Sequence, residues 1–532
     1  MKKLFTSPSQ TITGAALILG AASLVSRVIG MLRDRILAHY FGAGDVLDAY
    51  YAAFRIPDFV YNLLIAGALS AGFIPVFLTI WGKDKQEAWR VTNGILNILG
   101  FLLLITCGIL FLFTPALITY TVPGFSEEKR LLTITLTRIM FISPILLGLS
   151  SVISGVLQSV KSFFIYSITP ILYNVGIIFG TIYLSPSYGP KGLAYGVIIG
   201  ALLHLLVQLP TLYAIGFRYK WIFPWKHPSI REMGRLMIPR TLGLAATQIN
   251  FVVMTMIGSI LGSGAIAIFT LANNLQYVAV GSIGVSFAIA AFPTLSLLAA
   301  EQKKEEIAQH IARTTRYILF CILPITILFL LLRAQIVRVI LGTGAFDWNA
   351  TILTMNTLAF FSFSLFAQCL IPLLARVFYA LHDTWTPFLI SLLSTIITIS
   401  LSFLFRDQYG VLGLALAFSL SSVFQLTIMW VLLRQTLGTL NELPILHTLY
   451  KLSLAGMCMS LTIQFLKEPL ADIVDMATFW GVLTQATLSG GIGLLIYGIF
   501  CYILRVDEIR QLYATVTSRM YHKNIPGEIE SK

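Results

Sequence analysis

Eight charged residues crowd into positions 26–75, SRVIGMLRDRILAHYFGAGDVLDAYYAAFRIPDFVYNLLIAGALSAGFIP: Arg27, Arg33, Asp34, Arg35, Asp45, Asp48, Arg55 and Asp58. The first four lie in or at the end of an apolar run that starts near Thr11, and Arg55 and Asp58 lie early in a second run reaching about Ile80. A charge at the bilayer centre costs about 3 kcal/mol on insertion scales, so an arginine there is by default a hypothesis about function, facing a cavity or a partner. On one helix Arg27, Asp34 and Arg35 share a face, being seven and eight residues apart, while Arg33 lies to its side. That face is expected to look inward. Simpler roles stay open. Arg33 and Arg35 could snorkel to an interface, Arg27 could sit in a structural ion pair, and Asp48 has the residue type of a helix N-cap. Arg240, next to Pro239, could equally be an interfacial anchor.

The elements holding these charges follow from composition. Of 532 residues, 57% are hydrophobic and 11% charged, against about 25% charged in soluble domains. The chain therefore reads as an all-α polytopic membrane protein. The five cysteines are far apart, with no CxxC and no His/Cys ligand spacing, so they read as small buried apolar residues and no metal site is expected. The net charge of +13 is spread through short loops instead of forming one stripe, which argues against nucleic acid as a partner. Met1, Lys2 and Lys3 precede an arginine-bearing segment without a clean cleavage site, so the first span is expected to be retained.

At ~20 apolar residues per crossing, about fourteen spans are expected, near 11–38, 46–80, 90–118, 131–157, 163–185, 190–216, 233–260, 264–298, 307–333, 350–380, 385–405, 411–435, 446–466 and 478–504. With the N-terminus inside, 23 Lys and Arg fall on the cytoplasmic side and 8 on the other, which puts both termini in the cytoplasm. The sequence also repeats itself. Phe41-Gly42-Ala43-Gly44 leading to Pro75 matches Leu261-Gly262-Ser263-Gly264 leading to Pro293, and GVLQS at 155–159 leading to Pro170 matches RVFYA at 376–380 leading to Pro387. Both pairs begin on the same side, so two pseudo-symmetric six-helix lobes are expected, related by an axis along the membrane normal. The expected division is an N-lobe over 1–216, a cytoplasmic interlobe loop over 217–232, a C-lobe over 233–436, two further helices over 437–504 and a cytoplasmic tail over 505–532. The lobes are chemically unequal, since Asn273 and Asn274 stand in the eighth span where the second has Arg55.

Together SRVIGMLRD at 26–34, FGAGDVLDAYYAAFRIP at 41–57, GALSAGFIPVF at 67–77, GVLQSVKSFFIYSITPILYN at 155–174, GAFD at 344–347 and ARVFYALHDTWTP at 375–387 resemble the MurJ (MviN) family of lipid II flippases. That family belongs to the superfamily of multidrug, oligosaccharidyl-lipid and polysaccharide exporters, and the resemblance covers nearly the whole chain. It implies a multi-pass protein of the bacterial cytoplasmic (inner) membrane, with two lobes rocking around a central cationic cavity. The implied substrate is undecaprenyl-diphosphate carrying the peptidoglycan disaccharide-pentapeptide.

On this resemblance Arg27, Arg33 and Asp34 match the family's first-helix charges, and Asp48 and Arg55 those beginning the second. Arginine suits a diphosphate because its planar fork donates two hydrogen bonds and stays protonated. Arg27, Arg33 and Arg55 are thus the candidate clamp, with Asp34 and Asp48 expected to pair with arginines when substrate is absent, and Arg240 and Asn274 as further substrate-binding candidates. The small residues Gly67, Ala68, Ser70, Ala71 and Gly72 would permit close helix contact or bending, and Pro57 and Pro75 would kink the second span. The chain departs from the family in having Tyr61 and Asn62 where an arginine is usual, Ala66 for an acidic residue, Asn274 for an arginine, and Met254 where some members hold sodium with an aspartate. A sodium site is therefore not expected.

No carboxylate cluster or nucleophile–base pair suggests an enzyme, and no Walker motif suggests ATP use or another cofactor. Transport would draw on membrane potential, an ion gradient or consumption on the far side. The partners expected are lipid II and membrane lipids, with the protein a monomer that works beside cell-wall synthesis machinery. The alternative function is export of another polyprenyl-diphosphate-linked oligosaccharide.

Overall fold

A computed structural model of the chain describes residues 12–66 and 73–509, without side chains at 12–19, 66 and 236–247. All regular structure among the described residues is helical. The helices are α1 (Ile12–Phe41), α2 (Asp45–Tyr61), α3 (Ile74–Trp81), α4 (Lys85–Thr121), α5 (Glu127–Met140), α6 (Ile142–Ser159), α7 (Phe163–Phe179), α8 (Ser185–Tyr188), α9 (Lys191–Leu206), α10 (Leu209–Ala214) and α11 (Pro228–Ile260). They continue as α12 (Ala265–Ala279), α13 (Val285–Ala300), α14 (Lys304–Leu331), α15 (Arg333–Ile340), α16 (Trp348–Ser362), α17 (Leu365–Ala380), α18 (Trp385–Tyr409), α19 (Val411–Leu437), α20 (Glu442–Ile473) and α21 (Phe479–Ile503).

Ten of these helices or continuous pairs are long and apolar enough to cross a bilayer, and the α16–α17 pair, bent by 47°, makes an eleventh. The three other expected spans fall on α1, on α2 with α3, and on α11, which carry most of the candidate charges, so the helix set is consistent with fourteen crossings.

Helix starts are written in local chemistry. Asp84 caps α4 by accepting the Gln86 and Glu87 amides at 2.7 and 3.2 Å, and Thr478 caps α21 through the Gly481 amide at 3.0 Å. Side-chain oxygens at these positions satisfy amides that have no intrahelical partner. Among the described residues, π turns include Asn62–Ala66 after α2, Gly180–Leu184 after α7 and Val280–Gly284 after α12. The first and third sit at the same distance from Pro75 and Pro293, so the internal repeat noted in sequence reappears as a shared local irregularity. Pro57 lies inside α2, whereas Pro75 occupies the first turn of α3, where its missing N–H is not needed. Gly67, Ala68, Ser70, Ala71 and Gly72 lie outside the described residues.

The chain forms two compact units. One comprises Met1–Leu271, Ile340–Leu353 and Ser391–Ala417, the other Ala272–Val339, Thr354–Ile390 and Phe418–Lys532. The core of the first includes Ile65, Phe77, Leu103, Leu157 and Ile165. The core of the second gathers Ile311, Leu373, Met429, Leu452 and Ile463. In the first unit α7 and α9 approach backbone to backbone: a Cβ at Gly176 would strike Gly200, and one at Gly196 would come within 2.8 Å of the Gly180 Cα. Small residues spaced by four are how membrane helices pack closely without a hydrophobic driving force between them. The segment 340–353 joins this unit through the Ala345 amide, which donates to the His39 carbonyl at 2.9 Å.

Candidate functional site

Arg33 and Asp34, consecutive on α1, form an ion pair. The Arg33 Nε and Nη2 both donate to Asp34 Oδ1, at 3.0 and 2.7 Å, and Nη1 donates to Asn174 Oδ1 on α7 at 2.9 Å. Asn174 is itself oriented, because its Nδ2 donates to the Pro170 carbonyl at 3.0 Å. The Arg33 and Asp34 side chains are 23% and 8% exposed. A guanidinium fixed at two edges presents its plane in one direction, which is what bidentate capture of a phosphate or carboxylate requires.

Arg55, on α2, is half-buried and faces hydroxyls. Its Nε donates to Thr255 Oγ1 of α11 at 2.7 Å, its Nη2 to Thr270 Oγ1 of α12 at 3.4 Å, and its guanidinium carbon lies 5.5 Å from the Phe251 ring centroid. Neutral hydroxyls orient the cation without cancelling its charge.

Asp48 has a different environment from the one expected of it. The N-cap position of α2 belongs to Gly44, and Asp48 lies one turn inside the helix. Nor does it pair with an arginine: its carboxylate accepts from Lys129 Nζ at 2.7 Å, from the Gly264 amide at 2.7 Å and from the Ala267 amide at 2.8 Å. It thus caps the start of α12, a helix over 200 residues away in the chain, placing a negative charge on that helix's positive end. Gly264 serves this contact as only glycine can, with φ at +84° and a Cβ position that would strike the Ala43 carbonyl. Lys129 is buried; it also bonds Asp45 at 2.7 Å and lies 4.1 Å from the Phe125 ring centroid. No local pattern announced it, since its partner lies 81 residues earlier.

Of the remaining candidates, Arg27 and Arg35 are half-buried on α1, and Asn274 is half-buried on α12 in the second compact unit. There its neighbour Asn273 accepts from Gln276 Nε2 at 3.0 Å, and Gln276 accepts from Gln368 at 2.9 Å. The Arg240 side chain lies outside the described residues. The structure therefore joins Arg33 to Asp34, places Arg55 and Asp48 on one helix with separate partners, and adds Asn174, Thr255, Thr270 and Lys129 to the set. Met254 accepts a 3.6 Å contact from the Ser402 hydroxyl.

The described residues are all-helical and multi-span with partly buried arginines, an architecture that fits a membrane transporter. The chain's sequence matches the family described as Lipid II flippase MurJ over residues 37–483. Relatives include a probable lipid II flippase MurJ of Buchnera aphidicola subsp. Acyrthosiphon pisum, 31% identical over 75% of this chain and 79% of that one. Another, from Vibrio cholerae serotype O1, is 27% identical over 93% and 95%. Among solved structures, "Lipid II flippase MurJ, inward closed conformation" superposes with a TM-score of 0.77 at 25% identity, covering 93% of this chain and 100% of that one. A multidrug resistance MATE family transporter of the MOP superfamily, inward-facing, shares the fold at a TM-score of 0.66 and 16% identity, covering 78% and 96%. The chain belongs to the MurJ family of lipid II flippases.

Proposed function

We propose that this chain carries lipid II from the cytoplasmic to the outer leaflet of the bacterial inner membrane by alternating access. The observation that carries the reading is the Arg33 guanidinium, oriented by Asp34 and Asn174 in a chain of this family. Lipid II has a polyprenyl tail that can stay in lipid, a charged diphosphate and a large polar head, so only the last two need shelter. Arg27, Arg33 and Arg55 would bind the diphosphate. Asp34 would hold Arg33 between cycles and help release the load, since a carboxylate already on the fork competes with the phosphate. Arg240 and Asn274 are proposed contacts to the head group on sequence grounds.

The reading includes two six-span lobes over 1–216 and 233–436, two added spans over 437–504, and both termini in the cytoplasm, as the loop charges favour. It includes a monomer working without ATP or another cofactor, coupled to membrane potential or an ion gradient, beside cell-wall synthesis machinery.

The test is expression in a bacterium depleted of its own lipid II flippase. Restored growth with lipid II on the outer face supports the reading. Export of a different polyprenyl-diphosphate-linked oligosaccharide, without lipid II, replaces it.

A further inference from the structure

Away from the charged residues, α4, α6 and the segment from Leu205 to Trp221 enclose a crevice of about 340 Å³. Its floor on α4 is Leu96, Gly100 and Leu104, one residue per turn, so the apolar strip runs along the helix for about 12 Å at 1.5 Å per residue. Leu149 and Ile153 of α6 face it. Asn97 also lines the strip, but its amide is committed: Nδ2 donates to the carbonyls of Lys220 and Ile222 at 3.0 and 2.9 Å, and Oδ1 accepts the Tyr219 hydroxyl at 2.8 Å. Asn93, one turn earlier, donates to the Arg218 carbonyl at 3.0 Å and accepts the Lys220 amide at 2.8 Å. Two asparagines thus fasten to α4 the loop whose Tyr219 and Trp221 line the slot.

What the loop displays there is one kind of chemistry. Tyr219 and Trp221 are 50% and 73% exposed. Arg218 and Lys220 are exposed beside them, and the Arg218 guanidinium is held by the Tyr213 and Phe217 carbonyls at 3.0 and 2.8 Å. A narrow hydrocarbon strip lined at one end by amphipathic rings, with two exposed cations on the same loop, complements an amphiphile with an extended chain and an anionic head.

We propose that this crevice is a binding site for an anionic phospholipid of the adjacent leaflet, one acyl chain lying along Leu96–Leu104 and the phosphate meeting Arg218 and Lys220. The bound lipid would fasten the loop between α10 and α11 to α4.

Native mass spectrometry of the detergent-purified full chain, titrated with phosphatidylglycerol and with phosphatidylcholine of the same chains, tests this. The wild type should bind its first phosphatidylglycerol at least tenfold more tightly than phosphatidylcholine. Leu104→Trp, which fills the slot at the end of the α4 strip opposite Leu96, should weaken that first event at least tenfold, and Lys220→Glu should remove the preference between head groups. Gly100→Leu is a second filler, because a Cβ there points at Leu149 Cδ2, 3.2 Å away; thermal unfolding selects whichever variant keeps the wild-type melting temperature. Equal phosphatidylglycerol binding by wild type and filled variant overturns the proposal, as does the absence of a head-group preference in the wild type. Complete displacement of the first phosphatidylglycerol by stoichiometric undecaprenyl phosphate would give the slot to an isoprenoid tail instead, and would overturn it too.

Discussion

The carboxylate of Asp48 and the ammonium of Lys129 meet at 2.7 Å with 0% and 7% of the two side chains exposed. Neither charge has water to return to, and the same carboxylate holds two α12 amides. Removing Asp48 leaves the Gly264 and Ala267 amides without their acceptor and the buried Lys129 ammonium with Asp45 alone, and breaking a buried pair in this way costs about 3–5 kcal/mol. Asp48→Ala is expected to lower the melting temperature of the purified protein sharply, and Lys129→Met in that background to restore part of it. A wild-type melting curve for Asp48→Ala would show that the pair does not support the fold.

Arg33→Lys keeps the charge but not the fork. Losing charge-assisted hydrogen bonds of about 1.5–3 kcal/mol corresponds to about a 10- to 150-fold loss of transport, with expression unchanged. Asn174→Ala, which removes one of the two orienting partners, should fall between wild type and Arg33→Lys in a transport assay.

Thr255→Val deletes the 2.7 Å partner of Arg55 while preserving shape. The cation then turns more freely, so transport should drop several-fold while the melting temperature stays near wild type. Equal losses of transport and stability would assign Thr255 to the fold instead.

At Gly196 a side chain would enter the space where α7 and α9 touch. Overpacking of this kind costs about 1–3 kcal/mol or more, so Gly196→Leu should reduce folded protein recovered from membranes, measured by size-exclusion chromatography, whereas Gly189→Ala, at a position with open space, should be limited to local backbone strain from its φ of +59°.

The spans were legible in the sequence because runs of about 20 apolar residues have few alternatives to a membrane helix. Each expected span meets helical structure, and the repeat around Gly42 and Gly262 returns as matched π turns. The charge pairing was only partly legible. Helical periodicity set Arg33 to the side of Arg27, Asp34 and Arg35, yet a long guanidinium can fold back onto its neighbour, and Arg33 reaches Asp34. By residue type Asp48 suits a cap of its own helix or an arginine partner, but residue type reveals that a carboxylate will accept amides, not which ones. Its amides belong to α12, and only the packed chain brings Gly264 and Ala267 to it. Asn93 and Asn97 carry no such signal, since a polar residue in an apolar run does not disclose that it will fasten a loop more than 120 residues later.

The most direct test of the central claim is lipid II translocation by the purified chain in proteoliposomes, read as lipid II exposed on the far leaflet. Wild type should translocate it, and the Arg27→Ala, Arg33→Ala double variant, reconstituted to the same density, should fall to the rate of protein-free vesicles. Translocation at the wild-type rate by the double variant would contradict an arginine-based diphosphate clamp.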